Sequence, residues 1–147
     1  MEIEIKDFSQ LSNTEVYEIL RLRNEVFVVE QQCIYQDADG EDEKAFHLLG
    51  TINGTLVAYL RIFKSGDYFK AASIGRVVVS KSFRKKGYAN KIMLVGIDYI
   101  STNLKEKKVK LSAQAYLTKF YNDLGFQQQG EEYLEDGIPH IAMILEN

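Results

Sequence analysis

IGRVVVSKSFRKKGYA, residues 74–89, joins an apolar run to a basic turn and the start of a helical pattern. Residues 74–79 are rich in β-branched side chains that would face both sides of a sheet, which is typical of a central strand. After Gly87, apolar residues recur at helical spacing at Ala89, Ile92, Met93, Ile97 and Ile100. The stretch therefore predicts a buried strand, a short basic turn and a long helix.

Further strands and helices are predicted on both sides of this unit. Asn53-Gly54 lies between two apolar runs and is the strongest short signal for a type I′ hairpin. Ser12 and Glu15 have the spacing of a capping box and open a helix of about four turns that reaches Phe27. The remaining predicted elements are strands at 3–5, 47–52, 55–62, 109–113 and 141–145 and a helix at 117–124. This order indicates an α/β domain with a mixed sheet.

Composition excludes several classes of protein. The chain has 147 residues, of which 46% are hydrophobic and 27% charged, so residues 1–147 fit one domain. No run reaches the roughly 18 apolar residues of a membrane span, and no signal peptide opens the chain, so we expect a cytoplasmic protein without a membrane partner. A net charge of −3 argues against non-specific binding to nucleic acid. Cys33 is the only cysteine and there are two histidines, so neither a disulfide nor a metal site is expected.

The turn before the long helix is a candidate anion site. The first amides of a helix have no carbonyl partner within it and point outward with the positive end of its dipole. Gly87 would let a ligand approach the backbone closely, and a pyrophosphate would accept several bonds of roughly 1.5–3 kcal/mol each. Neither a Walker loop nor a Gly-x-Gly-x-x-Gly motif is present, which excludes the kinase and dehydrogenase readings. A plain strand-to-helix connection stays open as the alternative.

Two motifs taken together resemble the GCN5-related N-acetyltransferase (GNAT) superfamily. Arg84-x-x-Gly87-x-Ala89 is similar to its phosphate loop, and residues 120–126, FYNDLGF, are similar to its later Tyr-x-x-Leu-Gly-Phe motif. Residues 25–31, 35–40 and 136–141 also resemble the bacterial ElaA-like branch, which extends the likeness to nearly the whole chain. Gln114 and Leu117 depart from the Asn and Ala that many members of the superfamily carry.

The resemblance implies a single-domain fold with a mixed, mostly antiparallel sheet flanked by helices, whose splayed strands leave a gap for acetyl-CoA. It implies that the backbone of Val77 and Val79 binds the pantetheine and that one of their amides polarises the acetyl carbonyl. The amides of Lys85 to Ala89 would bind the pyrophosphate, with Arg84 and Lys86 adding charge. The implied acetyl-CoA contacts are Val77, Val78, Val79, Arg84, Lys85, Lys86, Gly87, Tyr88, Ala89, Gln114 and Asn122.

Tyr121 is implied to be the general acid that protonates the departing CoA thiolate. The alternative is a buried aromatic ring whose hydroxyl only satisfies a carbonyl. The acceptor would be a small-molecule or exposed protein amine, and a lysine-like amine has a pKa near 10.4, so its deprotonation at neutral pH costs about 4–5 kcal/mol. The general base is left open among Glu30, the acids of residues 37–43, His47, His140 and a water chain.

The acidic stretch at residues 37–43 is expected to attract a cationic substrate, although a solvated loop is the alternative. The predicted substrate contacts are Glu30, Asp37, Asp39, His47 and His140. A calcium loop is excluded because Leu48 occupies the twelfth position of the EF-hand pattern.

Three other functions stay open at this stage. They are the transfer of a different acyl group, a non-catalytic CoA-binding sensor or scaffold, and a protein that docks a basic partner through its acidic loop. The oligomeric state also stays open, a homodimer included.

Overall fold

A computed structural model describes residues 1–146, which form a seven-stranded sheet in the order β1-β2-β3-β4-β5-β7-β6. The strands are Glu2–Asp7 (β1), Phe46–Ile52 (β2), Thr55–Phe63 (β3), Ala72–Val79 (β4), Lys108–Gln114 (β5), Gln127–Glu135 (β6) and Ile138–Glu146 (β7). The helices are Asn13–Arg23 (α1), Tyr88–Thr102 (α2) and Thr118–Asp123 (α3). Within residues 1–146, only the β4–β5 pairing is parallel, which confirms the predicted mixed, mostly antiparallel sheet.

Helices cover both faces of the sheet. On one face of the sheet, Ile19 and Leu22 of α1 and the following Val26 pack against Tyr59 and Val78. The opposite face is the larger core, where α2 buries an apolar stripe of Ile92, Met93 and Ile100 against β3 and β4. Each of these fully buried side chains stabilises the fold by roughly 1.5–3 kcal/mol. Among residues 1–146, no helix combines the length and the apolarity that a membrane crossing needs.

The first helix differs from its prediction. It begins as expected, since Ser12 and Glu15 form a reciprocal capping box. However, the α-helix ends at Arg23 and continues as a π-helical segment, Asn24–Glu30, and the amides of Gln31 and Cys33 bond to carbonyls five residues earlier. Wide turns of this kind are frequent at functional sites.

The predicted element order is wrong because it lacks β6. Its sequence, QQQGEEYLE, has no alternation of apolar and polar residues, and every residue of the strand is exposed. The strand forms because its backbone pairs with β7 from Gln127↔Ile144 to Glu135↔Ile138. A strand at the edge of a sheet with both faces solvated gives no hydrophobic signal.

Candidate active site

The parallel strands β4 and β5 separate soon after they begin. They pair only at Ala72↔Val109 and Ser73↔Lys110, and no pairing joins them from Ile74 onward. The backbone edge of β4 from Ile74 to Val79 therefore faces a gap in the middle of the sheet. An edge of this kind can accept an extended ligand as an additional strand.

A bulge lies in the part of β4 that borders this gap. Tyr59 pairs with Val78 and Arg61 pairs with Gly75, so β4 carries one residue more than β3 between these pairs. Arg76 lies between these pairs and adopts a left-handed backbone conformation, with φ +53°. Bulges bend a strand and redirect its side chains, and they are common beside active sites.

The gap opens into a cleft of about 650 Å³. One end is lined by Lys85 and Gly87 of the turn that precedes α2 and by Tyr88 and Ala89 of the first turn of α2. The π-helical segment contributes Glu30, and α3 contributes Tyr121. The end of β5 and the β6–β7 turn contribute Gln114, Glu135, Asp136 and His140. The cleft thus joins residues that are far apart in the chain.

The turn before α2 presents unpaired backbone donors to this cleft. Within residues 1–146, the amides of residues 85–90 donate to no backbone or side-chain acceptor, and the amide of Lys91 is the first to bond within the helix, at 3.1 Å from the Gly87 oxygen. Gly87 precedes the helix with φ +80°, and a Cβ there would meet nothing within 4 Å. A bound anion can therefore approach these amides directly.

Tyr121 lines the cleft from the side of α3. Its ring packs edge-on against Phe120 and Phe126 at 5.0 and 6.0 Å, and its hydroxyl forms no hydrogen bond to any residue in the range 1–146. Burial raises the pKa of the Tyr121 hydroxyl well above its ordinary value. The hydroxyl is therefore protonated at neutral pH, as a general acid must be before it donates.

Arg84 is held by protein groups at the mouth of the cleft. Its guanidinium donates to the Glu30 carboxylate at 2.6 and 2.8 Å and to the Val79 oxygen at 3.1 Å. The hydrogen bonds from Arg84 lower the pKa of the Glu30 carboxyl group. Arg84 thus ties the end of β4 to the π-helical segment, and much of its charge is already balanced.

The acidic stretch at residues 37–43 folds inward onto arginines. Asp37 is 3% exposed, and its carboxylate accepts hydrogen bonds from Arg23 at 2.7 Å and from Arg76 at 2.8 Å. Tyr35 donates to the same carboxylate at 3.0 Å. Of these residues, Tyr35 and Arg76 line the cleft and Asp37 does not.

Asp39 and Asp42 complete this ion-pair network through Arg61. Arg61 lies 2.6 Å from an Asp39 oxygen and 2.9 Å from an Asp42 oxygen, and it is almost fully buried. Arg61 holds the pKa of the Asp39 carboxyl group at about 2, although burial acts in the opposite direction. Arginines therefore balance the charge of all three aspartates, and neither Asp37 nor Asp39 lines the cleft.

His47 is also part of the interior. Its Nε2 donates to the backbone carbonyl oxygen of Asp42 at 2.9 Å, so its Nδ1 accepts from the Tyr59 hydroxyl at 2.6 Å. Burial lowers the pKa of the His47 imidazole. Both nitrogens are used and the residue lies outside the cleft, so the structure separates His47 from the other predicted substrate contacts.

The other predicted contacts divide in the same way. Gln114 lines the cleft and exchanges hydrogen bonds of 3.1 Å with Gln31. Val78 is buried under α1, while Lys86 and Asn122 are exposed and lie outside the cleft lining.

Tyr35, Arg76 and Glu135 line the cleft but were not predicted from the sequence, although a charged Arg76 within an apolar strand was a visible signal. Among residues 1–146, no group of three His, Cys, Asp or Glu side chains is placed to hold a metal ion.

Comparison with known proteins identifies the class. Residues 6–147 match the model of the acetyltransferase (GNAT) domain. Protein ElaA from Escherichia coli K12 is 45% identical over 140 residues, which is 94% of this chain and 92% of ElaA. A UPF0039 protein from Synechocystis is 42% identical over 139 residues, which is 94% of this chain and 90% of its own.

Solved structures agree over the full length. The crystal structure of Escherichia coli ElaA superposes with a TM-score of 0.92 at 43% identity, and each chain is 99% covered. An acyl-CoA N-acyltransferase from Pseudomonas aeruginosa also gives 0.92, at 39% identity and 99% coverage of each chain. The chain belongs to the GNAT acetyltransferase family, in its ElaA-like branch. It is an acyltransferase, and the family uses acyl-CoA.

Proposed function

We propose that this enzyme is an acetyl-CoA-dependent N-acetyltransferase that transfers the acetyl group to a primary amine by direct attack in a ternary complex. The observation that carries the proposal is the row of unpaired amides at residues 85–90, at one end of a cleft formed where β4 and β5 separate. A diphosphate suits such amides, because it can accept several hydrogen bonds from one helix N-terminus.

The donor would extend from these amides along β4. Beyond Ser73 this strand has no partner on its β5 side, so the backbone of Val77 and Val79 is available to the two amides of a pantetheine arm. The acetyl carbonyl would be polarised by a backbone amide of Val77 or Val79, because a hydrogen-bond donor is needed. The carbonyl of Val79 already accepts from Arg84. The thioester would then lie within reach of Tyr121.

Tyr121 would protonate the leaving thiolate. Its hydroxyl is protonated at neutral pH and forms no hydrogen bond within residues 1–146, so its proton is available to a sulfur in the cleft. A positioned general acid contributes typically 10²–10⁴-fold to a rate. Acetyl is the proposed group because the matching family model describes acetyltransferases, and a series of acyl-CoA chain lengths would reveal a preference for a longer group.

The acceptor would be a cation before it reacts. Glu135 and Asp136 also line the cleft, and their carboxylates form no ion pair with lysine or arginine in residues 1–146. Carboxylates without a lysine or arginine partner favour an ammonium group. The three aspartates of the acidic stretch do not supply this charge, since arginines already balance them.

Calorimetry and thiol release test the proposal. The wild-type protein should bind acetyl-CoA and release CoA in the presence of at least one primary amine. Gly87→Glu should abolish acetyl-CoA binding, because a carboxylate would occupy the anion site. Gly66→Glu is the matched control, since Gly66 also has a positive φ of +88° and open space but lies outside the cleft lining.

The same assay separates the alternatives. Binding without turnover on any amine would identify a sensor or scaffold. Equal acetyl-CoA affinity of the Gly87→Glu and wild-type proteins would overturn the proposed site.

A further inference from the structure

His140 has two ring nitrogens in different surroundings. It lies in β7 between Gln114 of β5 and Tyr133 of β6, is 7% exposed and lines the cleft. Its Nδ1 lies 2.7 Å from the Ile138 oxygen, and because a carbonyl only accepts, Nδ1 carries the proton and donates it. Nε2 lies 3.3 Å from a Glu135 oxygen and makes no hydrogen bond to residues 1–146. In the neutral ring the lone pair therefore belongs to Nε2.

His140 and Tyr121 approach the gap from opposite faces of the sheet. Ala113 and Ile141 belong to the core that packs against Tyr121. Since side chains alternate along a strand, their neighbours Gln114 and His140 point to the other face. The hydrogen bonds between Gln114 and Gln31 confirm that this is the face of the π-helical segment. An acid and a base on opposite faces would let donor and acceptor enter from different sides.

We infer that His140 is the general base of the reaction and that Glu135 is its positioning residue, an assignment that rests on the proposed function. The bond to the Ile138 oxygen fixes the tautomer, so Nε2 is the atom that receives a proton. Glu135 stabilises the imidazolium that forms, and its side chain is 49% exposed, so solvent can reach the pair and carry the proton away.

The protons balance over one turnover. Nε2 of His140 takes a proton from the ammonium group of the acceptor, and the freed nitrogen lone pair forms a bond to the acyl carbon. The carbon–sulfur bond then breaks, and the thiolate takes the proton of the Tyr121 hydroxyl. The phenolate regains a proton from the amide nitrogen through water, and the imidazolium loses its proton to solvent. One proton is released for each acyl group transferred.

Other candidate bases are less well placed. Glu30 is bound to Arg84, which lowers its carboxyl pKa and weakens it as a base. Asp37 and His47 are used inside the fold and lie outside the cleft lining. The titratable groups nearest His140 are Glu135 and Tyr133 of β6. Asp136 lies in the adjoining turn, and Cys33 bonds to its backbone oxygen. Tyr35 and Tyr116 line the same cleft, and β5 contributes the uncharged Gln114 and Ser112.

Two small amines of similar size test the assignment. Methylamine is almost wholly an ammonium ion at pH 7.5 and needs a base, whereas hydroxylamine is already neutral and does not. The variants are His140→Asn, whose amide can still donate to the Ile138 oxygen, and Glu135→Gln. Glu132→Gln is the matched control, since Glu132 is an exposed glutamate of the same strand outside the cleft lining. The readout is kcat/KM from CoA thiol release, after subtraction of the rate without enzyme.

His140→Asn should lower kcat/KM for methylamine about 100-fold and change the value for hydroxylamine less than about threefold. Glu135→Gln should show the same selectivity with a smaller loss. An equal loss with both amines, or no loss with either, would overturn the assignment while leaving the proposed function intact. Absence of thiol release by the wild-type enzyme with any amine would overturn both.

Discussion

Replacing Asp37 by asparagine would test how much the buried ion pairs stabilise the fold. The carboxylate accepts from Arg23 at 2.7 Å and from Arg76 at 2.8 Å, and an amide can accept from only one of them while directing its own N–H groups at the other. Removing one partner of a buried ion pair costs about 3–5 kcal/mol. Arg23 keeps its bond to Asp42 at 2.8 Å, so we expect a loss near the lower end, about 3 kcal/mol.

Urea denaturation followed by circular dichroism measures this loss. With a urea m-value of about 1–3 kcal/mol per M, a loss of about 3 kcal/mol should lower the midpoint by about 1–3 M. This is a large part of a total stability of about 5–15 kcal/mol. Asp123→Asn is the matched control, because its pair with Lys119 is exposed on the surface and should contribute less than about 1 kcal/mol. If Asp37→Asn lost no more stability than the control, the network would not be holding the fold together.

Two further predictions follow from the same geometry. Tyr121→Phe should lower kcat about 100-fold while leaving acetyl-CoA affinity and stability nearly unchanged, since the hydroxyl bonds to no residue in the range 1–146, and a kcat within about twofold of wild type would exclude the general-acid role. Asp39 has a pKa of about 2 in the folded state against an ordinary 3.8, so its stabilisation is present above about pH 5 and is lost as the pH falls through 4 towards 2. Urea midpoints between pH 7 and pH 3 should fall less steeply for Asp39→Asn than for the wild type, and parallel curves would contradict the ion pair.

Local sequence signals predicted most of the fold. The Asn53-Gly54 hairpin, the capping box at Ser12 and the apolar stripe of α2 depend on neighbours within a few residues, and all three are present. The two family motifs identified the class in the same way, because each is a short continuous segment of the chain. Strand β6 was missed since its stability comes from pairing with β7 and from no pattern of its own.

The sequence by itself determined the element order around residues 74–126, the GNAT family and the turn at Gly87 with its unpaired amides. Only the tertiary structure decided what each charged group does. Asp37 and Asp39 were predicted to attract the substrate, but arginines from α1, β3 and β4, far apart in the chain, form ion pairs with them. Conversely, His140 gained its place in the cleft from strand pairing with Gln114 and Tyr133. Charge partners and strand neighbours are set by contacts between distant segments, and no local pattern encodes those contacts.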